Sequence, residues 1–149
     1  GPYLEVSVRE TGNRETVLPG DDLPAPSGKV TLDVRVQCPN WHDIDRVFVL
    51  VNGRKHEVHD YTRAEQPDRF RDGTVKFDHK LALDLSSDAH VIVVAGGGRE
   101  LGPVLGPSWG RDKPTAISNP VFVDVDGNGF RPNKDTLDHP LPVKFQPGR

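Results

Sequence analysis

The stretch KVTLDVRVQC, residues 29–38, alternates apolar and polar side chains without a break. Val30, Leu32, Val34, Val36 and Cys38 fall on one face of an extended chain, and Lys29, Thr31, Asp33, Arg35 and Gln37 on the other, because successive Cβ atoms of a strand point to opposite sides. This is the pattern of a half-buried antiparallel strand. It recurs on both sides, in YLEVSV (3–8), IDRVFVLVNG (44–53), TVKFDHKLALDL (74–85), HVIVVAG (90–96) and NPVFVDV (119–125), runs bounded by Gly, Pro, Asn or Asp. Asn52-Gly53 is a two-residue hairpin signal, so a short seventh strand is expected around Lys55–Val58.

No segment keeps helical periodicity over three turns, and 15 glycines with 14 prolines among 149 residues make up roughly a fifth of the chain, above the ordinary globular share. The expectation is an all-β fold: an immunoglobulin-like, two-sheet antiparallel β-sandwich of about seven strands, in a single domain spanning 1–149. The cysteine pair of antibody domains is missing, and Trp41 precedes a strand instead of lying inside one. Three connections are long, at 9–28, 59–73 and 97–117. The last is Gly/Pro-rich with an apolar minority (Leu101, Val104, Leu105, Trp109) and is expected to pack as a loop over one end of the sandwich.

The net charge of −3, with Lys and Arg scattered among acids, provides no basic stripe to follow a phosphate backbone. Nucleic acid is not an expected partner. No apolar run approaches the roughly 20 residues of a membrane helix, and GPYLEVSV lacks the features of a signal peptide. With no Met anywhere, the chain reads as a piece of a longer protein with a domain upstream. A lone Cys38 excludes an intrachain disulfide framework. The compartment stays open, an extracytoplasmic one being favoured for a bacterial protein.

Residues 121–135, VFVDVDGNGFRPNKD, carry the densest site-like pattern. Calcium loops of the EF-hand kind take oxygens from positions 1, 3, 5, 7, 9 and 12, with Gly at 6. Counting from Asp124, the acidic loop 124–135 offers Asp124, Asp126, Asn128, the carbonyl of Phe130 and Asp135, with Gly129 sixth and Pro132 as the misfit. Calcium is therefore the expected cofactor, held modestly, since Arg131 and Lys134 flank the site. No exiting helix follows, so an EF-hand proper is excluded. The alternative is a plain turn, since Asp-Gly and Asn-Gly are favoured where φ is positive.

Elsewhere the signals are weaker. Trp41 with Asp43 could form a sugar platform, and Trp109 in the long loop could line a binding surface for carbohydrate or protein; a Trp at a strand entrance more often caps the core. His56 and His59 are three apart, so on a regular strand they point to opposite faces and cannot share a zinc ion. No Gly-x-Ser-x-Gly elbow is present, and Cys38 sits on an apolar face, so no nucleophile is indicated.

The order GPYLEVSV, LPGDDLPAPSGKVTLDVRV, IDRVFVLVNGR and SNPVFVDVDGNGF resembles the C-terminal β-sandwich of bacterial PHP-superfamily metallohydrolases, the CehA/McbA-like group, over nearly the whole chain. Ser118-Asn119-Pro120 followed by Val123-Asp124-Val125-Asp126-Gly127 is its most distinctive part. The resemblance implies a non-catalytic accessory module of a metal-dependent phosphoester or carbamate-type ester hydrolase, with that upstream domain as partner. The family's metal ligands belong to the upstream barrel, and none maps onto this chain.

Overall fold

A computed structural model describes residues 1–109 and 111–132. Its strands are, in chain order, β1 Tyr3–Glu10, β2 Asp22–Pro24, β3 Lys29–Gln37, β4 Arg46–Val51, β5 Arg54–Thr62, β6 Val75–Asp84, β7 Ala89–Gly96, β8 Thr115–Ile117 and β9 Val121–Asp124. One sheet has the order β1-β3-β6 and the other β2-β9-β7-β4-β5, with β8 also paired to β7. The chain is an all-β sandwich with immunoglobulin-like Greek-key order.

Nine strands form where about seven were expected, the extra ones being the short β2 and β8. The chain leaves β1, crosses to the other sheet and forms β2 there. β8 and β9 follow each other along the same side of β7, at residues 94–96 and 89–91. Between them Ser118 keeps the ladder: its N–H donates to the Val93 carbonyl at 2.9 Å and its Oγ accepts from the Val93 N–H at 3.0 Å. The purely antiparallel expectation needs one correction. β2 pairs with β9 in parallel, Leu23 beside Val123, because the crossing from β1 delivers it running in the direction of the last strand.

The even-numbered face of β3 is buried as its alternation requires: Val30, Leu32, Val34 and Val36 meet Val47 and Val49 of β4, Val91 and Val93 of β7 and Val121 and Val123 of β9 in one core. Each such side chain stabilises the fold by about 1.5–3 kcal/mol relative to leaving it exposed. The Asn52-Gly53 hairpin forms as expected, with φ of 51° and 75° at the two turn residues and Val51 paired to Arg54. Asn52 also accepts from the His90 N–H through Oδ1 at 3.0 Å.

Two irregularities lay outside the alternation pattern. Between Val36 and Gln37 the register slips, so Lys76 is an extra residue in β6 and its side chain turns inward, only 3 % exposed. In β5, which runs to Thr62 instead of ending near Val58, residues 56–59 stand opposite Val49 alone. This four-against-one bulge overturns the expectation that His56 and His59 face apart: their rings stack, 4.8 Å between centroids. His59 Nε2 donates to the Ala82 carbonyl of β6 at 2.7 Å, joining the facing edges of the two sheets.

The 97–117 connection is not a plain loop. It holds a helical segment, α1 Gly102–Trp109, made of two short turns that meet at Gly106 (φ 72°), and then β8. Pro107 and the left-handed glycine explain the break. Leu105 remains 45 % exposed, so the apolar minority does not all pack down.

Candidate functional site

β9 ends at Asp124, and the antiparallel register that sets Ala89 opposite Val123 brings Asp88, in the β6–β7 turn, opposite Asp124. One carboxylate oxygen each from Asp88, Asp124 and Asp126 lie within 4.8 Å of one another. Oxygens on a single calcium ion at 2.3–2.6 Å fall within about that span. Backbone amides already address this charge. Asp124 accepts from Gly127 N–H through Oδ1 at 2.8 Å and from Gly129 N–H through Oδ2 at 2.9 Å. Asp88 accepts from Val125 and Arg131 N–H groups, both at 2.9 Å, and Asp126 from the Asn128 N–H at 3.2 Å. The Val125 amide, then that of Arg131, holds the Asp88 carboxyl below the usual carboxylate range. Gly127 and Gly129 take φ of 77° and 87°, which a side chain would oppose.

Of the expected ligand set, the structure brings two carboxylates together. Asp124 and Asp126 converge. Asn128 is exposed, and its backbone N–H donates to Asp126 Oδ1. Phe130 packs its ring on Phe122, 4.9 Å between centroids, and Asp135 lies outside the described residues. Asp88 was missed because it comes from another turn; the signal that could have found it is the β7–β9 register. A carboxylate oxygen has two lone pairs, so one amide bond on each still leaves room for a cation.

The 39–45 segment is organised differently from expectation. Trp41 does not cap the core: it is 54 % exposed, while His42 turns inward to 2 %. Neither ring nitrogen of His42 finds a partner among the described residues, and burial pushes its imidazole below the ordinary value. Asp43 is not a free sugar anchor either, since its Oδ1 takes Arg63 at 3.0 Å, Lys76 at 3.5 Å and the Ile44 N–H at 2.9 Å. The inward Lys76 created by the β6 bulge thereby finds its countercharge, along with Asn40 Oδ1 at 3.1 Å. The side chain of Trp109 lies outside the described residues.

The histidine pair is committed as well. His56 Nδ1 accepts from Val58 and His59 N–H groups, both at 3.3 Å, and His59 bonds the Tyr61 hydroxyl at 2.6 Å besides Ala82. Among the described residues, His56 Nε2 is the one ring nitrogen of this pair without a hydrogen-bond partner.

On the outer side of this hairpin Asp60 receives Arg46 through Nε at 2.9 Å and Nη2 at 2.8 Å, and Lys55 at 2.6 Å. The Arg46 guanidinium foremost holds its carboxyl down to about 2. A depressed folded value means stability present above the unfolded value of 3.8 and lost as pH falls through about 2. With half-exposed cations screening the gain, Asp60→Asn is expected to cost about 1–2 kcal/mol at pH 7, a difference that vanishes in urea melts near pH 2. His42 and His56 act in the same direction at milder acidity. Both are held below 6.5, mainly by burial, so the unfolded chain takes up more protons and stability declines as pH drops from 6.5 toward the folded values.

A third feature lies at the edge of the smaller sheet. Tyr3 and Leu18 are 61 % and 60 % exposed, and with Leu4, Val6 and Pro19 they line a groove of about 670 Å³ beside β1. No family model, curated protein or solved structure matches the chain.

Proposed function

We propose that this chain is a non-catalytic accessory module joined to a PHP-type metal-dependent hydrolase domain, docked on it through the β1 groove and braced by calcium at the Asp88–Asp124–Asp126 turn. The observation that carries the reading is the exposed apolar rim of Tyr3 and Leu18 beside the first strand. Paired large apolar side chains left in water next to a groove mark an interaction surface, and a domain attached ahead of Tyr3 lies beside this one. The likeness of the strand and turn phrases to the accessory sandwich of CehA/McbA-like enzymes supports the choice of partner. Supporting a non-catalytic role, Arg63 and Lys76 both pair with Asp43, and the ring nitrogens of His59 pair with the Tyr61 hydroxyl and the Ala82 carbonyl. The test is direct: the chain with Mn²⁺ or Zn²⁺ and p-nitrophenyl phosphate is expected to turn over at the buffer rate. Chelator-sensitive turnover above that rate overturns the non-catalytic reading.

A second reading, an extracellular carbohydrate- or protein-binding module, is favoured by the exposure of Trp41. It requires loss of sugar binding in Trp41→Ala, read by calorimetry against a panel of oligosaccharides.

A further inference from the structure

We propose that the β1 edge takes up its partner by strand addition: an extended segment of the docked domain, bearing lysine or arginine, pairs with Leu4 and Val6 as a fourth strand of the smaller sheet. The inference rests on the docking role proposed above and specifies how the contact is made. Val8 exchanges both backbone bonds with Val17, N–H to carbonyl at 2.9 Å and the reverse at 2.8 Å. Its groups therefore point away from β3. By the alternation of an antiparallel pair, Leu4 and Val6 point the same way, while Tyr3, Glu5, Ser7 and Arg9 bond to β3. The N–H and C=O of Leu4 and Val6 consequently have no partner among the described residues.

The opening has a cause in the sequence. Were the pairing begun at Val17 to continue, Pro19 would face Val6, but Pro19 has no N–H to donate. Instead the chain turns at Leu18–Asp21 and Gly20 bonds across to Pro120 at 2.7 Å. A short run of unpaired edge is left, with an apolar rim and none of the inward charges or bulges that blunt an edge.

Charge selects the occupant. The groove carries Glu5, Asp33 and Asp78 against Arg35 alone. Asp33 is occupied by Arg9 and Lys80; Glu5, opposite Arg35 in the ladder, has among the described residues no ion pair within 4.0 Å and only the Gln37 amide at 3.4 Å, and the cation paired with Asp78, Arg71, is 3.9 Å away. A basic side chain on the added strand, in register with Glu5, meets this surplus. A second copy of the chain does not: the antiparallel register that engages Leu4 with Val6 and Val6 with Leu4 places Glu5 against Glu5, a repelling pair. Main-chain bonds supply affinity and alternate side chains supply selectivity in such additions.

The test uses the isotope-labelled chain and a capped Val-Lys-Val-Lys-Val peptide. Saturating peptide is expected to slow amide exchange at Leu4 and Val6 at least tenfold, with Glu5 and Ser7, already in the ladder, unchanged. Leu4→Pro removes one edge donor without touching a β1–β3 bond; because Leu4 also packs against the core, it is expected to lower the urea midpoint modestly while weakening peptide binding to the folded chain at least tenfold. Should it fail to fold, a peptide N-methylated at the central valine, expected to lose the same tenfold, takes its place. Val-Glu-Val-Glu-Val is expected to bind at least tenfold more weakly. Unchanged exchange at Leu4 and Val6, or equal binding by the proline variant, the methylated peptide or the acidic peptide, overturns the proposal. Protection of both amides by dimerisation without peptide overturns it too, assigning the edge to a second copy. A failure here leaves the hydrolase partnership standing, since that is decided by the cellular polypeptide's own mass and activity.

Discussion

Phe77→Ala is expected to destabilise the domain by about 3–5 kcal/mol, the largest effect of any single truncation in the sandwich. Phe77 is fully buried, and its ring meets Tyr61, Phe70 and His79 at 5.6, 5.5 and 4.7 Å between centroids. It joins β6 to β5 and to the 63–74 connection at once, where Phe70 bridges it through the backbone. Removing the ring leaves a cavity that three fixed neighbours cannot close, so the transfer and cavity costs add. Phe77→Leu, which keeps most of the volume, is expected to cost clearly less. Urea unfolding at pH 7 reads both; a loss under 1 kcal/mol for the alanine variant would mean that this aromatic cluster does not hold the two sheets together.

Asp124→Ala is expected to cost about 3 kcal/mol without any added metal. The carboxylate is buried and accepts two charge-assisted bonds, from Gly127 and Gly129, and its removal leaves both amides unsatisfied. Asp126→Ala, at an exposed position, is expected to change metal-free stability by less than about 0.5 kcal/mol. Calcium separates the two roles. At about 10 mM the parent is expected to gain roughly 1–3 kcal/mol, the size mass action gives for a submillimolar site, and Asp126→Ala to lose that gain. A parent whose melting does not move in calcium ends the metal reading and leaves Asp124 as a turn cap.

Regular features of this fold were legible because they repeat. The alternation from Lys29 to Cys38 defines a buried face, and Asn52-Gly53 defines a turn whose two positive φ values follow from residue type. The bulges were not legible, since an extra residue such as Lys76 is recognised only against its partner strand, and the pairing is a tertiary fact. The same limit governs the sites. Asp124 and Asp126 stand close in sequence and were read together; Asp88 joins them through a register. Position-counting from a helix-flanked calcium loop stays within one segment of chain, so it reads Asp124 and Asp126 but has no means of reaching a carboxylate on another turn. Trp41 faces out and His42 inward within one turn, where hydropathy alone does not say which neighbour is buried.

The proposed partnership is tested most directly by the polypeptide that cells produce. An antibody raised against this 16.4 kDa chain is used to isolate it, and its mass and chelator-sensitive ester hydrolysis are measured on the same fraction. The expected result is a polypeptide larger by at least one further domain, co-eluting with that hydrolysis; a polypeptide of the chain's own mass, eluting apart from any metal-dependent hydrolysis, would contradict it.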